Sequence, residues 1–299
     1  MTTGPVWDPG DKTHRDENFP VASRLISKRH RDVVLAFYRF ARASDDVADH
    51  PELPADEKIR ILDGFEETLL GKHDEIQDAL PLRKAIHDRG LSPKHAQDLL
   101  TAFRMDAKKL RYADWDDLIH YCTYSAMPVG RFVLDVHGED HSTWPANDAL
   151  CAALQIINHL QDCGADYRRL DRVYIPLDVL AARSVPIQAL GAEKATPGLL
   201  AAIHEVAAKT IALLAEANLS CRIQDLRLSL EVAAIEKLAR RLVGMLIERD
   251  PLSQRVHLSR AAFISILARA ACGALGRRFL LERPAAAPLL RGADDKPSH

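Results

Sequence analysis

Two amides and two carboxylates recur at helical spacing between residues 155 and 166. They are Gln155, Asn158, Asp162 and Asp166. Because an α-helix turns by about 100° per residue, the four side chains share one stripe roughly 80° wide, beside large aliphatic residues. Buried carboxylates need a cation or several hydrogen bonds, and Asp and Asn oxygens suit a hard ion such as Mg²⁺. The stripe predicts a magnesium site; a solvated helix face is the simpler alternative for two Asp four residues apart.

A second polar stripe lies far upstream, near the end of another helical pattern. It consists of Tyr38, Arg42, Asp45 and Asp49, at positions i, i+4, i+7 and i+11. On its own, this motif is typical of a solvated helix end. Two Asp-rich stripes on two long apolar helices instead favour a shared site, in which they face each other across an apolar cavity and bind several divalent ions. Such a cluster accepts a diphosphate, with the guanidinium of Arg42 as a further donor.

The composition excludes several classes of function. The chain has 299 residues, 47% of them hydrophobic, and a net charge of −2, so no basic surface indicates a nucleic-acid partner. Its five cysteines are scattered without metal-binding spacing, which is typical of reduced thiols. The N-terminus lacks the pattern of a signal peptide, and no apolar run approaches the ~20 residues that span a bilayer. We expect a cytoplasmic protein.

Four arginines in the C-terminal part leave membrane contact open. They are Arg240, Arg241, Arg277 and Arg278. A solvated helix surface explains them, and so does contact with anionic lipid headgroups. Peripheral contact with the inner face of the membrane is therefore a second expectation for the location.

The hydrophobic periodicity predicts an all-α protein. Helices are expected over residues 29–48, 55–70, 81–89, 93–104, 114–136, 146–166, 197–217, 229–248 and 260–281. Alternation typical of strands is almost absent, and apart from Pro128 the glycines and prolines cluster between helices.

The two polar stripes also bear on the domain organisation. Residues 185–198 form the longest internal loop, but neither side of it contains both stripes, so one domain over residues 17–283 is expected. Residues 1–16 are predicted to be a flexible lead-in, and residues 284–299, rich in Pro and Ala, a disordered tail.

Several motifs around the stripes resemble those of the squalene/phytoene synthase family of head-to-head prenyl-diphosphate enzymes. An aromatic and arginine-containing run, residues 37–42, leads into the first Asp motif. Tyr121-Cys122 is followed by Val129-Gly130, and Arg172-Val173-Tyr174 follows the second Asp motif. The resemblance extends over about residues 18–281. It implies a helical bundle of the class I isoprenoid synthase type with a central apolar cavity.

The resemblance also implies roles for individual residues. The implied catalytic residues are Asp45, Asp49, Asp162 and Asp166. The implied ligands of several Mg²⁺ ions are these four with Asn158. The implied substrate-binding residues are Asn18, Tyr38, Arg42, Gln155, Asn158, Arg172 and Tyr174. Candidate cavity walls are Phe19, Val33, Phe37, Phe132 and Leu154, for each of which ordinary core packing is the alternative.

Within the family, three segments resemble the bacterial hydroxysqualene synthases of the hopanoid-type squalene pathway: residues 17–23, 125–131 and 158–163. This branch implies ionisation of presqualene diphosphate and capture of the rearranged carbocation by water, without NADPH. The implied partners are a sister presqualene diphosphate synthase and a flavin reductase. The alternative is a presqualene diphosphate, squalene or phytoene synthase that condenses two prenyl diphosphates head to head.

Three positions depart from the pattern of the condensing enzymes. Gln161 replaces an Arg, and Thr123 and Leu242 stand where Tyr residues are usual. Loss of the Arg is interpreted as loss of a diphosphate contact. A condensing enzyme anchors two diphosphates, whereas an enzyme that acts on presqualene diphosphate anchors one and needs fewer such contacts. The departures therefore favour the hydroxysqualene branch.

Overall fold

A computed structural model describes residues 27–258 and confirms the all-α class. The ten α-helices of this part are α1 Lys28–Ala48, α2 Ala55–Leu69, α3 Leu80–Arg89, α4 Lys94–Asp106, α5 Trp115–Ser125, α6 Met127–His137, α7 Trp144–Leu170, α8 Leu177–Ala181, α9 Pro197–Ala217 and α10 Leu226–Glu248. Asn18, the two predicted terminal segments, the limits of the domain and the helix expected over 260–281 lie outside the described residues.

One predicted helix is wrong: residues 114–136 form two helices. α5 ends at Ser125 and α6 begins at Met127, with Ala126 between them at φ −119°. Pro128 is in the first turn of α6, where its missing N–H and its ring are tolerated. Inside a continuous helix, the missing N–H would remove a hydrogen bond and the ring would clash with the preceding turn. The predicted helix over 146–166 is longer than expected, because α7 begins at Trp144 and ends at Leu170.

The two acidic stripes lie on helices that belong to different hydrophobic clusters. α1 packs in the smaller cluster with α2, α3 and part of α4, whereas α7 packs in the larger one with α5, α9 and α10. α6 contributes to both clusters: Leu134 lies in the larger and Phe132 in the smaller. The rings of Phe37 and Phe132 stack with centroids 4.0 Å apart, which joins α1 to α6. Both rings are buried.

The end of α7 sets the path of the chain into the site. Asp171 has φ 50°, and this left-handed residue ends the helix and reverses the backbone. The following segment pairs with the end of the α4–α5 loop: Val173 N–H donates to Leu110 C=O at 2.9 Å, and Leu177 N–H donates to Tyr112 C=O at 2.9 Å. This pairing, with an isolated bridge from Arg111 to Val173, places Arg172 and Tyr174 inside the protein.

α9 has a high mean hydropathy, although the sequence has no uninterrupted apolar run of about 20 residues. The segment Pro197–Cys221 has a mean hydropathy of 1.5, and by length and composition alone it is the one described helix able to cross a membrane. A core helix has the same properties, and α9 packs closely against α7 and α10. Part of its surface is exposed, including 42% of Ile211.

Gly130 provides a test of the contact between α6 and α7. A Cβ atom at this position would overlap the Asn147 amide and lie 2.6 Å from Cys151 Sγ. Asn147 is 2% exposed and donates to Met127 C=O at 3.2 Å, so it has little room to move. Gly130→Ala is therefore expected to destabilise the protein by about 1–3 kcal/mol in urea unfolding.

Gly244, near the C-terminal end of α10, is the matched control. A Cβ atom there would meet nothing within 4 Å. Gly244→Ala should increase the free energy of unfolding by about 0.5–1 kcal/mol, because alanine loses less backbone entropy in a helix. Equal effects of the two substitutions would contradict the close contact at Gly130.

Candidate functional site

The first acidic stripe is held by an arginine of the same helix. Arg42 contacts Asp45 at 3.2 Å and Asp46 at 2.5 Å. The Asp45 side chain is 36% exposed, yet burial, with the charge of Asp49 next in importance, raises its pKa to about 7. We call the region around the carboxyl groups of Asp45 and Asp49 on α1 and of Asp166 on α7 the recess. Arg42, predicted to bind diphosphate, here neutralises its neighbours on α1.

The second stripe faces the same recess from α7. Asp162 is exposed, and the Asp166 side chain is 19% exposed. The pKa of Asp166 is raised to about 7, first by burial, then by the charges of Asp162 and Asp49. Asp49 belongs to α1, and it contacts Arg172, whose N–H donates to Asp166 C=O at 3.3 Å, so the two stripes end close to each other.

Two arginines at and just after the end of α7 contact Asp49 of the first stripe. Arg172 Nη1 lies 2.5 Å from Asp49 Oδ1, and Arg169 Nη2 lies 3.8 Å from Asp49 Oδ2. Arg172 is only 6% exposed, and its Nη2 also donates to the main-chain carbonyls of Ala48 and Asp106, each at 3.4 Å. Arg172 was predicted to bind substrate and Asp49 to bind metal, and the structure pairs them with each other.

An aromatic stack forms one wall beside the carboxylates. The ring of Tyr174 lies 3.4 Å from the ring of His159, nearly parallel at 10°, and the rings of Tyr112 and Tyr121 lie 5.5 and 5.8 Å from it. Burial, and then the charge of Arg172, lowers the pKa of His159 to about 3, so its imidazole is neutral. Gln155 Nε2 lies 2.9 Å from His159 Nε2. Gln155 and Tyr174, both predicted to bind substrate, are thus linked through His159.

Two further predicted residues lie on the two helices that carry the stripes. Tyr38 and Asn158 are half-buried on the same helices as the Asp residues. Among the predicted substrate-binding residues, the placement of Asn18 falls outside residues 27–258.

The sequence did not assign a role to Asp106, which the structure places beside the stripes. Asp106 is 5% exposed and accepts a hydrogen bond of 2.9 Å from the Tyr121 hydroxyl. Burial raises its pKa to about 7, against the opposing effects of Arg172 and of the Tyr121 hydrogen bond. Its position in a family-like segment after Arg104 was the available signal, but no helical pattern connects it to either stripe.

The amide of Gln161, which we interpreted as the site of a lost diphosphate contact, is bonded to another segment of the chain. Gln161 Nε2 donates to the carbonyl of Val256 and lies 3.3 Å from His257 Nδ1. Its neighbour Asp162 is exposed on another side of α7, because successive helical residues differ by about 100°. Gln161 therefore connects α7 to the segment after α10.

The donors of the recess suit magnesium, although no ready-made cluster is present. Across residues 27–258, no three His, Cys, Asp or Glu side chains are grouped closely enough to hold one ion. The carboxylates of Asp45, Asp106 and Asp166 are nevertheless raised in pKa by burial and by neighbouring negative charges. This excess of negative charge, on oxygen donors alone, fits a hard divalent cation.

Comparison with known proteins identifies the family. A sequence model described as squalene/phytoene synthase matches residues 12–262. The chain belongs to the squalene/phytoene synthase family. This confirms the resemblance of the motifs.

Curated relatives cover nearly the whole chain. A protein named hydroxysqualene synthase from Rhodopseudomonas palustris is 54% identical over 94% of this chain and 96% of its own. One of the same name from Zymomonas mobilis is 47% identical over 88% of this chain and 90% of its own.

Solved structures agree on the fold. A squalene synthase, HpnC, from Alicyclobacillus acidocaldarius is 27% identical with a TM-score of 0.65, covering 88% of this chain and 91% of its own. A dehydrosqualene synthase has a TM-score of 0.75 over 87% of this chain and 93% of its own, at 21% identity. The isoprenoid synthase fold predicted from the sequence is thereby confirmed.

Proposed function

We propose that this protein is a magnesium-dependent hydroxysqualene synthase. It ionises presqualene diphosphate and releases hydroxysqualene and diphosphate after water captures the rearranged carbocation. The observation that carries this proposal is the 54% identity to a protein named hydroxysqualene synthase over 94% of the chain. The recess between α1 and α7, with carboxylates on both sides, supports it.

The diphosphate end of the substrate would lie between the two stripes. The residues proposed to hold the metal ions are Asp45, Asp49, Asn158, Asp162 and Asp166. When bound, Mg²⁺ supplies Lewis-acid neutralisation of the departing diphosphate. Arg42 and Arg172 are the proposed guanidinium donors, which stabilise the charge that collects on the diphosphate oxygens. Tyr38 and Asn18 complete the proposed substrate contacts.

The hydrocarbon part of the substrate requires a dry cavity. The apolar faces of α1 and α7 and the stack of Tyr174 on His159 supply walls without mobile charge, since the imidazole is neutral. Exclusion of bulk water protects the carbocation from premature capture. One admitted water then gives the tertiary alcohol and a proton, so the reaction needs no reductant and NADPH is not part of the proposal.

A substrate exchange tests the reaction. Purified protein with Mg²⁺ and without NADPH is incubated with presqualene diphosphate or with farnesyl diphosphate, and extracts are analysed by mass spectrometry. Hydroxysqualene is expected from presqualene diphosphate alone. Presqualene diphosphate, squalene or phytoene formed from linear prenyl diphosphates would reject the proposal in favour of a condensing enzyme. A chelator should stop the reaction, and added Mg²⁺ should restore it.

The substrate and product define the proposed partner enzymes. A sister synthase that joins two farnesyl units would supply presqualene diphosphate, and a flavin reductase would remove the hydroxyl group of the product. Both compounds carry long hydrocarbon chains, so transfer between enzymes at a membrane surface would limit their exposure to water.

We also propose peripheral contact of this cytoplasmic enzyme with anionic lipid through the α9–α10 surface. Ile211 on α9 is 42% exposed, and Arg240, whose Nη2 donates to Leu214 C=O, places a cation beside it. The Arg241 side chain is 50% exposed. An exposed apolar side chain with a cation nearby is complementary to acidic headgroups.

Vesicle sedimentation tests this contact. Arg241→Glu should weaken binding to phosphatidylglycerol vesicles by about fivefold or more, since one cation near a charged leaflet contributes about 1 kcal/mol. Arg60→Glu, the same charge change on exposed α2, should bind like wild type. Equal binding to neutral phosphatidylcholine vesicles, or equal loss in both variants, would contradict the proposed surface.

A further inference from the structure

Arg169 extends the second acidic stripe toward the end of α7. It follows Asp162 by seven residues and Asp166 by three. At about 100° per residue, its side chain leaves the helix within roughly 20° of the direction of Asp162 and roughly 60° of that of Asp166. Arg169 therefore shares the face of α7 that carries the proposed metal ligands, although it was not among the residues predicted to bind substrate.

Arg169 also reaches the first stripe. Its Nη2 atom lies 3.8 Å from Asp49 Oδ2, and the Arg169 side chain is 57% exposed. An ion pair that is this long and this exposed contributes little free energy, because water screens both charges. The guanidinium of Arg169 can therefore leave Asp49 at small cost.

The two arginines already proposed as diphosphate donors are held more firmly by the protein. Arg42 is 33% exposed and contacts two carboxylates of its own helix, at 3.2 and 2.5 Å. Arg172 is 7% exposed, pairs with Asp49 at 2.5 Å and donates to two main-chain carbonyls. Arg169 is more exposed than either of them, so its side chain has more freedom to turn toward an anion that enters from solvent.

We propose that Arg169 is a further diphosphate-binding residue at the exposed edge of the recess. In the free protein its guanidinium lies near Asp49. Once Asp49 serves as a metal ligand, the guanidinium turns to the diphosphate oxygens, to which its planar fork can donate two parallel hydrogen bonds. The proposal rests on the proposed function, because it assumes that a diphosphate lies between the two stripes.

Arg168 provides a matched control. It precedes Arg169 on α7, carries the same charge and is also exposed, so both cations interact with the negative end of the helix. Its side chain leaves the helix about 100° away from that of Arg169. There it lies beside Gly164, where an added Cβ atom would be 3.2 Å from Arg168 Nη1. A difference between the two variants therefore measures a contact and not the net charge of the helix end.

Pyrophosphate binding tests the contact. Inorganic pyrophosphate is titrated into the full-length protein at saturating Mg²⁺ by isothermal titration calorimetry. Arg169→Gln should weaken binding about tenfold or more, because a hydrogen bond between two charged groups contributes at least this factor. Arg168→Gln should stay within about twofold of wild type. Equal losses in the two variants, no loss in Arg169→Gln, or a wild type that binds no pyrophosphate would each overturn the proposal.

Metal affinity separates a contact with the anion from support of Asp49. Mn²⁺ is titrated without pyrophosphate, and the free ion is read by electron paramagnetic resonance. Arg169→Gln should bind Mn²⁺ at least as tightly as wild type, because the substitution removes a cation beside Asp49. A Mn²⁺ affinity reduced as much as the pyrophosphate affinity would mean that Arg169 holds Asp49 in place for the metal, and the proposal would be wrong.

The outcomes also separate this proposal from the proposed function. The expected pyrophosphate affinities without conversion of presqualene diphosphate would reject only the proposed function. Conversion with a pyrophosphate affinity indifferent to Arg169 would reject only the present proposal. If circular dichroism shows that Arg169→Gln does not fold, Arg169→Lys takes its place. This variant keeps the charge and loses the planar fork, so binding about threefold weaker is expected and unchanged binding overturns the proposal.

Discussion

Asp45→Ala and Asp162→Ala are each expected to reduce turnover of presqualene diphosphate by about a thousandfold or more. One substitution removes a carboxylate from α1 and the other from α7, and metal-based stabilisation of a leaving group contributes several kcal/mol to a reaction. The measurement is steady-state formation of hydroxysqualene at saturating Mg²⁺. Far-ultraviolet circular dichroism should be unchanged, because both side chains are at least partly exposed.

Asp32→Asn is the control for this experiment. Asp32 is an exposed residue of α1, far along the helix from Asp45. Its variant should retain activity within about twofold, as is usual for surface substitutions away from a site. Wild-type turnover by either alanine variant would reject the assignment of the corresponding stripe to metal binding.

Phe132→Ala is expected to destabilise the protein by about 3–5 kcal/mol. Phe132 is 1% exposed and stacks on Phe37, so truncation leaves a cavity at the contact that joins α1 to α6. For a protein of this size the melting temperature should fall by roughly 10 °C. Differential scanning calorimetry measures both quantities.

Val129→Ala is the matched control on the same helix. Val129 is 41% exposed, and its truncation should change the free energy of unfolding by less than about 0.5 kcal/mol. The pair of variants also distinguishes the two sequence interpretations of Phe132. A melting temperature unchanged by Phe132→Ala, together with altered products, would identify a wall of the substrate cavity instead of a core residue.

The local pattern of the sequence determined much of this protein. Apolar periodicity identified the long helices, and the end of the helix at Ala217 was predicted to the residue. The spacing of the four Asp residues placed each pair on one helix face, because the helical repeat depends only on local geometry. The break between α5 and α6 at Ala126 was not predicted, although Pro128 indicated it. Proline is favoured in the first turn of a helix, so Pro128 marks the start of α6 rather than a position within one long helix.

Only the tertiary structure decided the partners of these residues. Arg172 reaches Asp49, Tyr121 reaches Asp106, and Gln161 turns to Val256 instead of the recess. Each contact joins different segments of the chain, and its existence depends on how these segments pack together. Periodicity specifies which face of a helix a side chain occupies, whereas the charge that neutralises a buried Arg172 is set by the segments that folding brings around it.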